Sequence, residues 1–214
     1  YSNPIPVQLL LAREPVNPAD PGGVTKLVMA IGVNWGLYFM GYINSNKERV
    51  TLDPSLFSET ANTKINPDYQ TTYLGYLRTQ IWGLINTHLG EYDVLYISGM
   101  GLASPFAQLA ALDLIPDHIV PGLDRSPYLN YQPECYVYSA PNIVNKVLSD
   151  LFTENVKTNN GNQACYNYRI DLPEDNLYID HFPLQPNQTN DYYPLGEVTS
   201  TPQVKLPKDP YWPG

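Results

Sequence analysis

Residues 93–114 leave this chain little choice of fold. Val94-Leu-Tyr-Ile97 is an apolar run of strand length, and Ser98-Gly-Met-Gly-Leu-Ala-Ser104 is a sharp, glycine-rich turn. The helix that follows carries Phe106, Leu109, Ala110, Leu112 and Leu114 and is apolar almost all round. A strand and a helix of this kind are both buried elements, and a sheet covered by helices is the architecture that buries them together.

The rest of the chain alternates in the same way. Val7–Ala12 and Lys26–Val33 are apolar runs of strand length, the second with Gly32 near its end. Asn66-Pro67-Asp68 is a helix start, with an Asn cap, Pro in the first turn and an acid near the positive end of the dipole. Tyr69, Tyr73, Leu77, Ile81 and Leu84 then form an apolar stripe, and Gly90 ends the helix. Tyr136–Ser139 reads as a strand. It leads through Ala140-Pro141 into a helix with Val144, Val147, Leu148 and Leu151 on one face. Tyr166–Ile170 is the last clear strand. This β-α-β-α-β order predicts an α/β fold with a mostly parallel central sheet and helices on both faces. Val94–Ile97, Tyr136–Ser139 and Tyr166–Ile170 are expected to be neighbouring strands. The length of 214 residues fits one domain, 1–214, with an irregular N-terminal segment 1–23 and a Pro-rich tail 199–214. No internal repeat is found.

Charge and composition exclude several partners. A net charge of −9 repels nucleic acid and anionic membranes, and no Lys/Arg cluster overrides it locally. No apolar run approaches the ~20 residues that span a bilayer. The sequence starts at Tyr1 without Met or a signal-peptide pattern, which suggests a processed chain or a piece of a larger polypeptide. Cys135 and Cys165 each open a strand-like run. If those strands are neighbours the thiols lie close enough to pair, which would place the protein in an oxidising, extracellular setting; two buried thiols are the plainer alternative. The sequon Asn187-Gln188-Thr189 matters only in a secreted eukaryotic protein.

A strand, a glycine turn and a helix are also the setting of a nucleophile elbow, where a serine projects above the sheet and backbone N–H groups face an oxyanion. Tyr96-Ile-Ser-Gly-Met-Gly-Leu-Ala-Ser-Pro-Phe-Ala-Gln-Leu-Ala-Ala-Leu-Asp-Leu114 resembles the elbow and helix of the class 3 (fungal-type) lipases, whose pattern is Gly-His-Ser-Leu-Gly-Gly-Ala-Leu-Ala. The resemblance continues on both sides. Asn66–Leu89 stands where that family has its long helix, and Tyr136-Val-Tyr-Ser-Ala-Pro-Asn-Ile-Val-Asn145 is similar to its Thr-Phe-Gly-Ala-Pro-Arg-Val-Gly-Asn strand. Tyr168–Pro183 is similar to the stretch that bears the triad acid, with Asp175 at its place. The likeness spans residues 24–200 and implies an α/β-hydrolase fold.

The departures from the pattern decide what the resemblance implies about function. Gly101 holds the position of the nucleophile, and Met100 replaces the His before it. Tyr193-Pro-Leu-Gly-Glu-Val198 is similar to the family's histidine segment, but Pro194 has the place of the His. Ile31-Gly-Val33 stands for Arg-Gly-Thr, so Val33 lacks the hydroxyl that assists the oxyanion hole. Of the triad positions only Asp175 keeps its chemistry. Without Oγ no acyl-enzyme forms, and without imidazole no proton is shuttled. The histidines, His88, His118 and His181, are poorly placed to substitute, although His181 is six residues from Asp175. Ser98, in the strand, and Ser104, in the first helical turn, do not project as a nucleophile must. Glycine at the elbow also has a structural explanation, because it relaxes a strained backbone once no hydroxyl is needed.

The expected protein is therefore a pseudoenzyme: a lipase-like module with a vestigial site lined by Val33, Met100 and Leu102, binding a protein, lipid or glycan. A hydrolase with an unrecognised nucleophile and a structural domain of a larger secreted protein or toxin are the alternatives. No cofactor is expected, since there is no zinc-type Cys/His spacing and no Gly-x-Gly-x-x-Gly after a strand. Asp171, Glu174, Asp175 and Asp180 read as solvated acids before they read as a calcium site. Eighteen tyrosines and three tryptophans exceed what a core needs. Tyr128, Tyr131, Tyr192, Tyr193, Tyr211 and Trp212 fall in loop-like segments, where aromatics either bind or wedge loops onto the core.

Overall fold

The computed structural model describes residues 7–15, 19, 25–33, 49–58, 60–88, 90–115, 132–170 and 193–201. At its centre is a six-stranded sheet in sequence order: β1 (Val7–Pro15), β2 (Thr25–Val33), β3 (Val94–Met100), β4 (Glu134–Tyr138), β5 (Cys165–Ile170) and β6 (Glu197–Thr201). β1 is antiparallel to β2, and each later pair is parallel. The three strands expected to be neighbours are β3, β4 and β5, adjacent and parallel. β1 contains the strand-length run Val7–Ala12, so the segment 1–23 is not irregular throughout, and residues 199–201 of the tail complete β6. The β-branched Val198, Thr199 and Thr201 give β6 its propensity, and the surrounding prolines obscure it in the sequence.

Among the described residues four α-helices accompany the sheet: α1 (Pro67–Thr72), α2 (Arg78–Thr87), α3 (Ser104–Asp113) and α4 (Lys146–Asn155). A π turn, Tyr73–Leu77, makes α1 and α2 one continuous rod. Asn66 caps it as expected, its side chain accepting from the Asp68 N–H at 2.9 Å. From β2 to β5 each crossover moves one strand over in the same direction, and right-handed crossovers that never reverse leave their helices on one face. Burial follows this rule. Leu27, Met29, Leu95, Ile97, Cys135 and Val137 alternate onto one face and join the buried cluster that includes Tyr69, Phe106 and Leu148 from the helices. The expectation of helices on the second face concerns residues outside those described.

α4 corrects one detail. Val144 lies ahead of the helix, bridging Ile65 and Tyr193, and Val147 is exposed, whereas Leu148 and Phe152 are buried. The cause is the cap. Asn145 Oδ1 accepts from the Leu148 N–H at 3.2 Å and starts the helix at Lys146, which rotates Val147 outward.

Candidate functional site

β3 ends at Met100, Gly101–Ala103 make a 3-10 turn, and α3 starts at Ser104 with Pro105 in its first turn. Gly101 has φ 55°, a left-handed value that side-chain-bearing residues rarely adopt. This is the sharp strand-to-helix turn the sequence predicts at that residue. Gly99 makes it possible: a Cβ there would sit 3.0 Å from Ala103 O and from Ser104 Cα, so the helix start rests directly on the strand backbone. Ser104 is fully buried and donates from Oγ to Tyr138 O at 3.2 Å, locking the first turn of α3 to β4. It is a structural hydroxyl. Ser98 sits within β3, between Ala30 and Tyr136, and is likewise not at the turn.

The residues expected to line the site share the C-terminal edge of the sheet but not one face. Val33 ends β2 nearly buried on the helix side, an apolar group where the resemblance would have a hydroxyl. Met100 points the other way and is 66% exposed. Leu102, in the turn, packs against the core. Pro194 is held elsewhere in the hydrogen-bond network: its carbonyl accepts from Ser149 Oγ on α4 at 2.6 Å, between Tyr193, bridged to Val144, and Leu195, whose carbonyl accepts from Gln108 at 2.8 Å. It precedes β6, whose first residue pairs with Tyr166 near the start of β5. Asp175, His118, His181, the acids Asp171, Glu174 and Asp180, and the loop aromatics Tyr128, Tyr131, Tyr192, Tyr211 and Trp212 lie outside the described residues. His88 follows α2 and bonds Glu91 at 3.0 Å, ahead of the start of β3, whereas the turn follows the end of that strand. Among the described residues no group of three His, Cys, Asp or Glu gathers in a metal-holding arrangement.

Three features escaped the sequence reading. Ser139 follows β4 at φ 52°, exposed, with its N–H donating to Tyr168 O at 2.8 Å. Because Met100 and Tyr138 are register partners, Ser139 and Gly101 are the next residues along two neighbouring strands. The similar family has Gly at the Ser139 place, so serine and glycine are exchanged between the two turns. A positive φ cannot be read from a serine, so no sequence signal marks it. Asn167 is fully buried on β5, level with Val137, and both polar atoms of its amide lack a hydrogen-bond partner among the described residues. Five tyrosines form the third feature. Tyr96, Tyr136 and Tyr166 neighbour one another across β3, β4 and β5 with ring centroids 5.9 and 5.4 Å apart, and Tyr138 stacks on Tyr168 at 5.5 Å. Burial and the hydrogen bond to Glu134 push the Tyr136 hydroxyl well above its ordinary range.

Cys135 and Cys165 are register partners on β4 and β5, as their expected adjacency requires, and both are free and buried. Burial, then the hydrogen bond to Cys165, pushes the Cys135 thiol well above its ordinary range, so it is a poor nucleophile.

No protein-family model matches the sequence, and no curated protein matches it. Solved structures do match. A deletion mutant of the Rhizomucor miehei lipase propeptide complex superposes with a TM-score of 0.58 at 14% identity, covering 92% of this chain and 52% of that one. The native complex gives 0.51 at 15% identity, over 81% and 48%. Lip2 lipase from Yarrowia lipolytica gives 0.54 at 14% identity, over 90% and 61%. The chain thus spans about half to three fifths of the length of these lipases. At such identity the likeness speaks for the backbone alone, and it agrees with the topology: the chain has a lipase-like α/β-hydrolase fold.

Proposed function

We propose that this is a non-catalytic lipase-like domain, a pseudoenzyme that serves as a binding or structural module. One observation carries the reading. The residue at the centre of the strand-to-helix turn is glycine, with φ 55°, so the backbone of an elbow is present without a nucleophile on it. Val33 and Met100 support it, because neither can supply a hydroxyl or an imidazole. The ligand is a protein, a lipid or a glycan. Short- and long-chain p-nitrophenyl esters test the proposal: release of nitrophenol should match a no-protein control at every pH from about 5 to about 9, the range in which a triad imidazole would operate. Turnover above that control would overturn it.

Ser139 favours a second reading, a hydrolase whose nucleophile has moved one strand over. Non-glycine residues at positive φ cluster at functional sites, and this hydroxyl is exposed beside the vacated turn. No described side chain hydrogen-bonds its Oγ as a base would, which keeps the reading second. It requires that any ester turnover disappear in Ser139→Ala.

A further inference from the structure

We propose that the second face of the sheet, opposite the helices, docks a protein partner that presents arginine or lysine side chains. The inference deepens the binding-module reading and rests on it only for the idea that the chain binds; it does not need the turn at Gly101 to be inert. Topology supplies the first argument. The described helices of the crossovers from β2 to β5 lie on one face, while a parallel sheet is ordinarily covered on both. The composition of the other face supplies the second. Register places Tyr96, Tyr136, Tyr138, Tyr166 and Tyr168 there together with Met100. Tyr138 is 47% exposed and Met100 66%. Enrichment in tyrosine and methionine is what the centre of an interface shows, and an ordinary solvated face does not.

Charge identifies the occupant. Glu134 is the register partner of Tyr96, and Glu197 that of Tyr166. Burial first, and then the Glu134 and Glu197 carboxylates, push the Tyr166 phenol above its ordinary range, so both acids act on this ring. Tyr166 is stacked on Tyr136 by one ring face, which leaves the other turned toward β6 and Glu197. A guanidinium or ammonium laid there gains a ring quadrupole and a carboxylate together. Lys26, on β2, is the cation on the described part of this face, and it stands two strands from Tyr136. A second copy fits less well, because two chains of net charge −9 would bring Glu134 and Glu197 against a like-charged surface.

The test uses the full chain and a dye-labelled, end-capped Arg-Pro-Arg-Pro-Arg-Pro peptide, with the Glu-Pro analogue as comparison, read by fluorescence anisotropy. The basic peptide should bind and the acidic one should not. Glu134→Gln with Glu197→Gln should weaken binding about tenfold, as should Tyr166→Leu, whereas Tyr166→Phe, which keeps the ring, should bind like wild type. Asp150→Asn with Glu154→Gln, on α4 at the other side of the sheet, controls for net charge and should change binding less than about twofold. Absence of binding, equal loss in the α4 control, indifference to the ring at position 166, or sedimentation as a dimer that buries these tyrosines would each overturn the proposal. Ester turnover, measured on the same samples, reports separately on whether the chain is catalytic.

Discussion

Gly101 concentrates the functional argument in one torsion angle. At φ 55° glycine is unstrained, while a serine there costs on the order of 1–3 kcal/mol. Gly101→Ser should therefore lower stability by about that amount in urea or thermal melts. It should also fail to hydrolyse esters, because restoring Oγ supplies neither imidazole nor the hydroxyl that Val33 lacks. Equal or higher stability would mean that the turn is not strained for a side chain. The turn at Gly101 is legible in the sequence because two glycines stand between an apolar strand and an apolar helix. Ser139 is not, since its significance lies in a backbone angle and in a register partner on another strand. For Pro194 the resemblance gave a position in the sequence, and the structure gives its bonds, to α4 and not to the turn.

Among the elements, the rod formed by α1 and α2 shows why apolar spacing alone misplaces a residue. Steps of four residues drift by about 40° on an α-helix, so four such steps carry a stripe about 160° around the rod. The π turn at Tyr73–Leu77 takes up one extra residue, about 100°, and cancels most of that drift. Tyr69, Tyr73, Leu77, Ile81 and Ile85 are consequently all buried, where the sequence pattern ended on Leu84. Directly after the π turn, Arg78 reaches the fully buried Asp113 at the end of α3 through two bonds of 2.7 and 2.9 Å, and Tyr73 donates to the same carboxylate at 3.0 Å. The guanidinium also bonds Ser55 and lies over the Trp82 ring, 4.5 Å from its centroid. Arg78→Ala would leave a buried carboxylate without its counter-charge and should cost about 3–5 kcal/mol in urea unfolding. Arg78→Met combined with Asp113→Leu should recover most of that loss, since removing both charges removes the unpaired one. A double variant as unstable as the single one would show that the hydrogen bonds to Ser55 and Tyr73 matter more than the ion pair.

At the scale of the molecule the described residues form a sheet that is parallel from β2 to β6, with the described helices on one side, and most of this plan is legible in the alternation of strand and helix. What could not be read is β6, an edge strand hidden among prolines, and the amount of tyrosine that register gathers on one face. The same packing fixes how the protein answers alkali. Burial lifts the Tyr92 phenol from its ordinary 10.0 to about 12, and its hydroxyl has no partner among the described residues. A phenol whose pKa is raised by folding stabilises the fold fully below about pH 10 and loses that contribution as the pH rises through about 12. The urea midpoint should hold steady up to pH 10 and fall between there and 12, with Tyr92 ionising late in the phenolate absorbance. A Tyr92→Phe variant should fall less over that interval; an identical fall would assign the effect to other groups.

The central claim is that an elbow backbone survives here without a nucleophile, and reaction with a fluorophosphonate tests it most directly. Such probes phosphonylate activated serines and leave unactivated hydroxyls alone. After exposure of the native chain to excess reagent at neutral pH, the intact mass should be unchanged. A stoichiometric adduct, on Ser139 or on any other residue, would contradict the account.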